Sequence, residues 1–170
     1  PGFQNFMPPD CETFSKAINA GQYPLSVLAA TKDISQKYRS GLYGNTMTAN
    51  PRALGVGCAV LESMNDLLRQ NITRQGAYFL EEAQKLQEEF REIIFSVQGT
   101  GLLCAIGLDE KVVKVTGANG LEVLLRKNGL GVIHGGVNFL RFTPVFDVTS
   151  KEIDLVLCLV KEALRQYLSA

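Results

Sequence analysis

The chain has 170 residues, of which 46% are hydrophobic, enough to bury a core in one large domain or in a small domain plus part of another. Its 17 basic and 17 acidic side chains cancel, which excludes the net positive charge that is typical of a nucleic-acid-binding or membrane-surface protein. No stretch approaches the roughly 18 apolar residues of a membrane span, so a small neutral or zwitterionic partner fits better.

The cysteines and the histidine predict no metal site. Cys11, Cys58, Cys104 and Cys158 lie far apart without a CxxC pair, and the single histidine, His134, cannot complete a usual zinc set with them. We therefore expect four reduced, mostly buried thiols and a cytoplasmic protein.

A lysine at a predicted strand end is the first chemical feature along the chain. Residues 1–10 predict a loop that leads into a strand without an upstream partner, as in the C-terminal part of a longer protein. The run TFSK at 13–16 then predicts a buried strand closed by Lys16, and a Gly/Pro turn follows at 21–25. Burial there would favour the neutral amine, which attacks carbonyl groups. The alternative is an exposed lysine whose ammonium reaches water.

The next segments predict an α/β sheet with a functional loop. Residues 24–30 are apolar on both faces, which is typical of a strand in the middle of such a sheet. A short helix should follow, capped by Thr31 or Asp33. Residues 41–50 are rich in Gly, Asn and Thr, which predicts a loop that contributes to function.

Two helices come next. Asn50 and Pro51 match a helix cap and a first helical residue, and the small or apolar residues that follow predict that the first half of this helix is buried. A second, amphipathic helix is predicted from about 73 to 92, with apolar residues spaced by three and four. Such a pair could connect two domains.

The remainder predicts a small α+β domain. Strands are expected at 94–97 and 101–108 around a turn at 98–101, and at 130–133 and 138–142 around a tight turn at 134–136. Between these pairs Asn119 should cap a helix that ends at Asn128 and Gly129. Thr149 and Glu152 form a capping-box pattern that opens a final amphipathic helix.

Four ordered blocks of this sequence resemble one enzyme family. They are 13–16 together with 21–25, then 44–53, 99–102 and 140–144. In this order they resemble the class III pyridoxal-phosphate-dependent aminotransferases, which include ornithine, acetylornithine, lysine and 4-aminobutyrate aminotransferases. The resemblance covers nearly the whole chain from about Pro8. It implies that the glycine-rich phosphate turn and the cofactor's aromatic and aspartate partners belong to an upstream half.

The resemblance assigns roles to three residues. Lys16 resembles the lysine that forms the internal aldimine, a Schiff base, with pyridoxal 5'-phosphate and later moves a proton. Thr46 resembles the threonine that reaches the cofactor phosphate of the neighbouring subunit, although it could merely order its loop. Arg141 resembles the arginine that binds a substrate carboxylate, although an arginine on a half-buried strand could equally pair with a structural acid.

The sequence departs from the family pattern at several positions. Asn19-Ala20 replaces glycines after the lysine, Thr48-Ala49 replaces Gly-Gly, Gln98 stands where an arginine is frequent, and Val145 replaces a proline. These changes leave the reaction class intact and affect the substrate pocket. His134 is a candidate acid or base, but its Gly-rich surroundings favour a surface or loop residue.

The family implies an α/β fold of the fold type I class, with a large mixed-sheet domain and a small α+β domain. We expect residues 1–60 to be the end of the large domain and 61–170 to be the small one. The implied function is amino-group transfer from an amino acid or terminal amine to a 2-oxo acid such as 2-oxoglutarate, in a homodimer. The alternatives are an aminomutase or decarboxylase of the same fold, or an isolated fragment without catalytic competence.

Overall fold

The computed structural model describes residues 7–44, 46 and 48–169. The chain divides into two compact units, with the boundary between Asn65 and Asp66. The boundary predicted at residue 60 precedes this junction, and the identity of the units as parts of a large and a small domain stays a prediction. The loop expected at 1–10 and that at 41–50 both include positions outside the described residues, namely 1–6, 45 and 47.

The N-terminal unit is built on an antiparallel hairpin of β1 (Cys11–Ser15) and β2 (Ser26–Ala30). All five residues of β2 are exposed, so the buried central strand expected at 24–30 is wrong for this chain. The apolar composition favours a strand, but burial needs neighbours on both faces. Among the described residues β1 and β2 pair only with each other, which leaves the outer edge of each strand unpaired, and nearly all of their residues are exposed.

Three helical segments complete this unit: a 3₁₀ helix at Lys16–Asn19, α1 at Lys32–Ser35 and α2 at Pro51–Ser63. The predicted Asn50 cap and Pro51 start are confirmed. The predicted burial of the first half of α2 is wrong, because only Ala53 and Gly57 of this helix are buried. A Cβ on Gly57 would lie 3.0 Å from Leu25 Cδ2, so glycine lets α2 approach the segment after the 3₁₀ helix closely.

The C-terminal unit packs helices on one face of a four-stranded antiparallel sheet. Its strands have the order β3-β4-β6-β5. The elements in chain order are α3 (Asp66–Glu89), β3 (Ile94–Thr100), β4 (Leu103–Leu108), α4 (Leu121–Lys127), β5 (Ile133–Gly135), β6 (Phe139–Phe142) and α5 (Ser150–Leu168). The helix predicted from residue 73 begins seven residues earlier, at Asp66, while its buried residues begin only at Gln75.

The core of this unit lies between the sheet and helices α3 and α5. The Phe79 ring of α3 meets the Phe142 ring of β6 at a centroid distance of 5.5 Å. Where α3 crosses the β3–β4 turn, a Cβ on Gly76 would lie 2.2 Å from the carbonyl oxygen of Gly101, so only glycine fits there. The fully buried large side chains include Ile94, Ile106, Leu108, Leu121, Leu125, Leu140, Ile153 and Leu164.

Several predicted boundaries shift by one to three residues. The β3–β4 turn is Gly101 and Leu102 rather than 98–101, because Gly101 takes the left-handed conformation (φ 51°) that closes a two-residue turn. Gly120, not Asn119, is the N-cap of α4, and no side chain caps this helix. His134 lies within β5 and not in a turn. The capping box of Thr149 and Glu152 is confirmed.

The cysteines differ from the expectation of mostly buried thiols. Only Cys104 is buried, and burial raises the pKa of its thiol to about 11, which makes it unreactive. Cys11, Cys58 and Cys158 are exposed because they lie on element faces that nothing in the described chain covers. None of the four forms a disulfide.

Neither a grouped set of metal-binding side chains nor a membrane-spanning helix is present in the described part of the chain. It holds no group of three or more His, Cys, Asp or Glu side chains placed to bind a metal ion. It also has no helix with the length and apolar character needed to cross a membrane.

Candidate functional site

The N-terminal unit contains a cavity of about 780 Å³, which we call the Lys16 cavity. Its wall is formed by residues 15–16, 21–26, 43, 48–50 and 53–54. These residues belong to the end of β1, the turn that leads into β2 and the segment that enters α2. The volume lies within the range of about 300–1,000 Å³ that is typical of small-molecule sites.

Lys16 stands at the end of β1, as the sequence predicts, and its side chain lines the cavity. The side chain is exposed, so the predicted burial of this lysine is wrong for the described chain. The cause is the two-stranded hairpin, because no third strand of the described chain pairs with it to cover the strand end. Lys16 therefore presents a primary amine to any carbonyl compound that enters the cavity.

Residues at the start of α2 form another part of the wall of the Lys16 cavity. Asn50 Oδ1 accepts hydrogen bonds from the backbone N–H groups of Arg52 and Ala53, at 3.0 and 3.4 Å. Asn50, Ala53 and Thr48 all line the cavity. The N-terminus of a helix carries partial positive charge, which favours an anionic group near this wall. The N–H groups of Arg52 and Ala53 are already bonded to Asn50 and Pro51 has none, so the attraction comes from the helix dipole and not from a free donor in this turn. An amine and an anion-favouring helix start thus share one cavity.

Three side chains that sequence reasoning did not assign also line the cavity: Gln22, Tyr23 and Tyr43. The signal that could have found the first two is the Gly/Pro turn directly after the lysine. Asn19 holds this turn, because its Nδ2 donates to the carbonyl oxygen of Tyr23. Asn19 Oδ1 is buried and has no partner among the described residues.

Thr46 lies in an exposed turn before α2 and is not among the residues that line the cavity. Its flanking residues, 45 and 47, are outside the described part of the chain. The role of Thr46 toward the cofactor phosphate of a neighbouring subunit stays a prediction.

Backbone strain is concentrated at this cavity. Among the described residues, the non-glycine positions with positive φ are Lys16 (57°), Ala20 (54°) and Ala49 (59°). Lys16 and Ala49 line the cavity, and Ala20 precedes the lining residue Gly21. Side chains other than glycine disfavour this conformation by about 1–2 kcal/mol per residue. These three left-handed residues thus lower the stability of the unit at the position where the cavity is formed.

Replacing Ala49 with glycine should stabilise the N-terminal unit. Glycine removes the left-handed penalty, and its greater freedom in the unfolded chain offsets only part of that gain. We expect a net gain of about 0.5–1 kcal/mol, measured as a higher midpoint of thermal unfolding. The control is Ala59→Gly on an exposed position of α2, which should instead destabilise by about 1 kcal/mol. Destabilisation by both changes would show that Ala49 is not strained.

Arg141 lies on β6 in the C-terminal unit, and its side chain is exposed. Its guanidinium has no ion pair or hydrogen bond with any described side chain or backbone group. The alternative of pairing with a structural acid therefore has no support within the described chain. Lys16 and Arg141 belong to different units of the chain. The substrate-binding role of Arg141 stays a prediction.

His134 makes a hydrogen bond to Glu122 on the surface. Its Nδ1 lies 2.9 Å from Glu122 Oε2, and the Arg126 guanidinium donates to the other carboxylate oxygen at 2.7 Å. The hydrogen bond from His134 is the main cause that lowers the pKa of Glu122, and Arg126 adds to it. The arrangement agrees with the predicted surface position of His134 and gives it a structural partner.

Comparison with known proteins identifies the family. The family model for class III aminotransferases matches residues 4–164. The mitochondrial acetylornithine aminotransferase of Yarrowia lipolytica is 31% identical over 158 residues, covering 92% of this chain and 37% of that protein. The mitochondrial ornithine aminotransferase of Oryza sativa is 30% identical over 146 residues, covering 85% of this chain and 31% of the relative.

Solved structures agree with this result. Ornithine aminotransferase of Plasmodium yoelii matches with a TM-score of 0.86 and 28% identity, covering 95% of this chain and 42% of that one. Acetylornithine aminotransferase of Elizabethkingia anophelis matches with a TM-score of 0.83 and 28% identity, covering 94% and 42%. These likenesses confirm the predicted α/β, fold type I class for the matched residues.

The match covers most of this chain but only a minor share of each relative. The chain spans about a third of the length of the curated relatives, 37% and 31% in the two cases above. The family model nonetheless covers almost every residue, from 4 to 164 of 170. This chain belongs to the class III aminotransferase family.

Proposed function

We propose that this chain is the C-terminal part of a pyridoxal-phosphate-dependent aminotransferase that moves an amino group from an amino acid or terminal amine to a 2-oxo acid. One observation is central to the proposal. Lys16, on the wall of the Lys16 cavity, presents its amine beside the N-terminal turn of α2. The family membership of the chain supports the same reaction class.

The residues of the Lys16 cavity suit pyridoxal 5'-phosphate. Lys16 offers an amine for the aldehyde, and the partial positive charge at the start of α2 favours an anion nearby. The phosphate itself would be held by the glycine-rich turn of the upstream half and by Thr46 of the neighbouring subunit, as the resemblance implies. When bound, the cofactor supplies an electron sink that lets the Cα–H bond of an amino donor ionise. The cavity volume of about 780 Å³ leaves room for a substrate beside it.

Within this proposal the chain's own groups act as follows. Lys16 Nζ would hold the cofactor through its aldehyde group and, as a free amine, would accept and return the proton of the substrate Cα. Arg141 binds the substrate carboxylate, since its planar guanidinium matches two carboxylate oxygens. The absence of a competing acid beside Arg141 in the described chain supports this role.

We propose a homodimer and a diamino-acid donor. Thr46, exposed in a turn before α2, is accessible to a second subunit, which supports its predicted role across the interface. The relatives are named ornithine and acetylornithine aminotransferases, which supports a donor that carries a second, free or acylated amino group. The cytoplasmic location stays a prediction.

Incubation with pyridoxal 5'-phosphate tests the proposal. An absorbance band near roughly 400 nm should form, and borohydride reduction followed by mass spectrometry should locate the adduct on Lys16. Because β1 and β2 are uncovered in this chain, we expect weak cofactor affinity and no turnover by the isolated chain. Adducts spread over the other lysines and missing from Lys16 would contradict the proposal. Robust turnover by a preparation of verified 170-residue mass would contradict the expectation of weak binding and no turnover.

A further inference from the structure

The sheet of the C-terminal unit has one face that none of the described helices of that unit covers, and Arg141 lies on it. Cys104, Ile106 and Leu140 are buried against the helices. Since successive side chains of a strand point to opposite faces, Ala105 and Arg141 point away from the helices. We call this side of the sheet the open face.

One cross-strand row of the open face places Gln98 and Arg141 on either side of a small residue. Gln98 pairs with Ala105 across β3 and β4, and Ala105 pairs with Arg141 across β4 and β6. Because neighbouring strands are about 4.8 Å apart, the Cα atoms of Gln98 and Arg141 are separated by about 10 Å. Ala105 has only a methyl group, so two long polar side chains flank a shallow gap.

Both polar side chains are available to a ligand. Gln98 and Arg141 are exposed, and neither side chain has a hydrogen bond or ion pair within the described residues. The strands β3, β4, β5 and β6 contain no aspartate or glutamate that could neutralise the guanidinium. The guanidinium of Arg141 is therefore open to an anion from solution.

The surroundings of the gap are apolar. On one side the rings of Phe95 and Phe139 meet edge to face, with centroids 5.3 Å apart, and they lie over Gly107. On the other side Leu103 is 47% exposed. A Cβ on Gly135 would lie 3.7 Å from Arg141 Cβ, so the stem of the arginine rests along β5. These walls fit a short carbon chain attached to a carboxylate.

We propose that Gln98 is a further substrate-binding residue, which holds the same carboxylate group as Arg141. The guanidinium donates two hydrogen bonds to the carboxylate, and the Gln98 amide nitrogen donates a third across Ala105. The inference rests on the proposed role of Arg141 in binding the substrate carboxylate. Because the amide is neutral, the pair balances the negative charge of one carboxylate group.

The test uses the full 170-residue chain labelled with ¹⁵N, with butyrate as the probe. Butyrate should shift the side-chain N–H signals of both Arg141 and Gln98, whereas butanamide, its uncharged counterpart, should shift neither. Gln98→Leu should weaken butyrate binding about tenfold to a hundredfold, the effect of one hydrogen bond to a charged group. The matched control is Gln84→Leu, at an exposed position of α3, which should leave binding unchanged.

The outcomes separate the two assignments. If Arg141→Gln abolishes binding while Gln98→Leu leaves it unchanged, the inference on Gln98 is overturned and the role of Arg141 stands. If the wild-type chain shows no butyrate-dependent shift at Arg141, the proposed carboxylate role of Arg141 fails, and the inference fails with it. Should Gln98→Leu not fold, Gln98→Arg serves instead. It keeps a donor and should bind butyrate at least as tightly as wild type, and weaker binding would overturn the inference.

Discussion

Replacing Lys16 with arginine should abolish the borohydride-stable pyridoxal phosphate adduct at this position. Arginine keeps the positive charge and cannot form a stable imine, because its guanidinium stays protonated and is a poor nucleophile. The backbone strain is also kept, since arginine at φ 57° carries the same left-handed penalty as lysine. We expect the absorbance near roughly 400 nm to fall at least about tenfold, to the level given by unspecific surface lysines.

The control for this experiment is Lys32→Arg. Lys32 is exposed at the start of α1 in the same unit, but it does not line the Lys16 cavity. Its replacement should leave the absorbance band and the position of the adduct unchanged. Equal loss of signal in both variants would mean that pyridoxal phosphate reacts with exposed lysines in general, and the central assignment would then fail.

Local sequence was sufficient to find Lys16 and not sufficient to describe its surroundings. The TFSK run and the Gly/Pro turn are short-range signals, and the structure places Lys16 at a strand end as they predict. Its exposure depends on which elements cover the hairpin, a property of the assembled chain. For the same reason the apolar composition of β2 predicted a strand correctly and its burial wrongly.

The helices of the C-terminal unit could be predicted from helix caps and apolar stripes, whereas the pairing register of its strands could not be predicted from the sequence. The capping box of Thr149 and Glu152 and the apolar stripe of α3 need only a few neighbouring residues, and both are present. The pairing of Gln98 with Ala105, and of Ala105 with Arg141, joins residues far apart in the chain. Such long-range pairing depends on where each turn closes, and the β3–β4 turn was displaced toward Gly101.

Replacing Asn138 with alanine should destabilise the C-terminal unit strongly. Asn138 is only 5% exposed, and its side chain serves three backbone groups in the core. Its Nδ2 donates to the carbonyl oxygens of Leu108 and Val113, both at 2.8 Å, and its Oδ1 accepts from the N–H of Val115 at 2.9 Å. Through these three hydrogen bonds the side chain joins the loop after β4 to the turn before β6.

Alanine would leave these three buried groups without partners. Each unsatisfied buried group costs about 1–3 kcal/mol, so we expect the free energy of unfolding of this unit to fall by about 3–5 kcal/mol. The measurement is urea unfolding followed through the amide signals of the C-terminal unit. Asn119→Ala is the control, because Asn119 is exposed and should change stability by less than about 0.5 kcal/mol.

Asn138→Asp provides a sharper version of the same prediction. An ionised carboxylate keeps the acceptor for Val115 and cannot donate to the carbonyl oxygens of Leu108 and Val113, so it should destabilise the unit at neutral pH. Burial beside two carbonyl oxygens should raise the pKa of the new carboxyl in the folded state above its unfolded value. The protonated form can donate again, so the defect should be smallest at pH values below the unfolded pKa, grow as the pH rises from the unfolded to the folded pKa, and be largest above the folded pKa. A defect that is independent of pH would show that the hydrogen bonds of Asn138 do not fasten this loop.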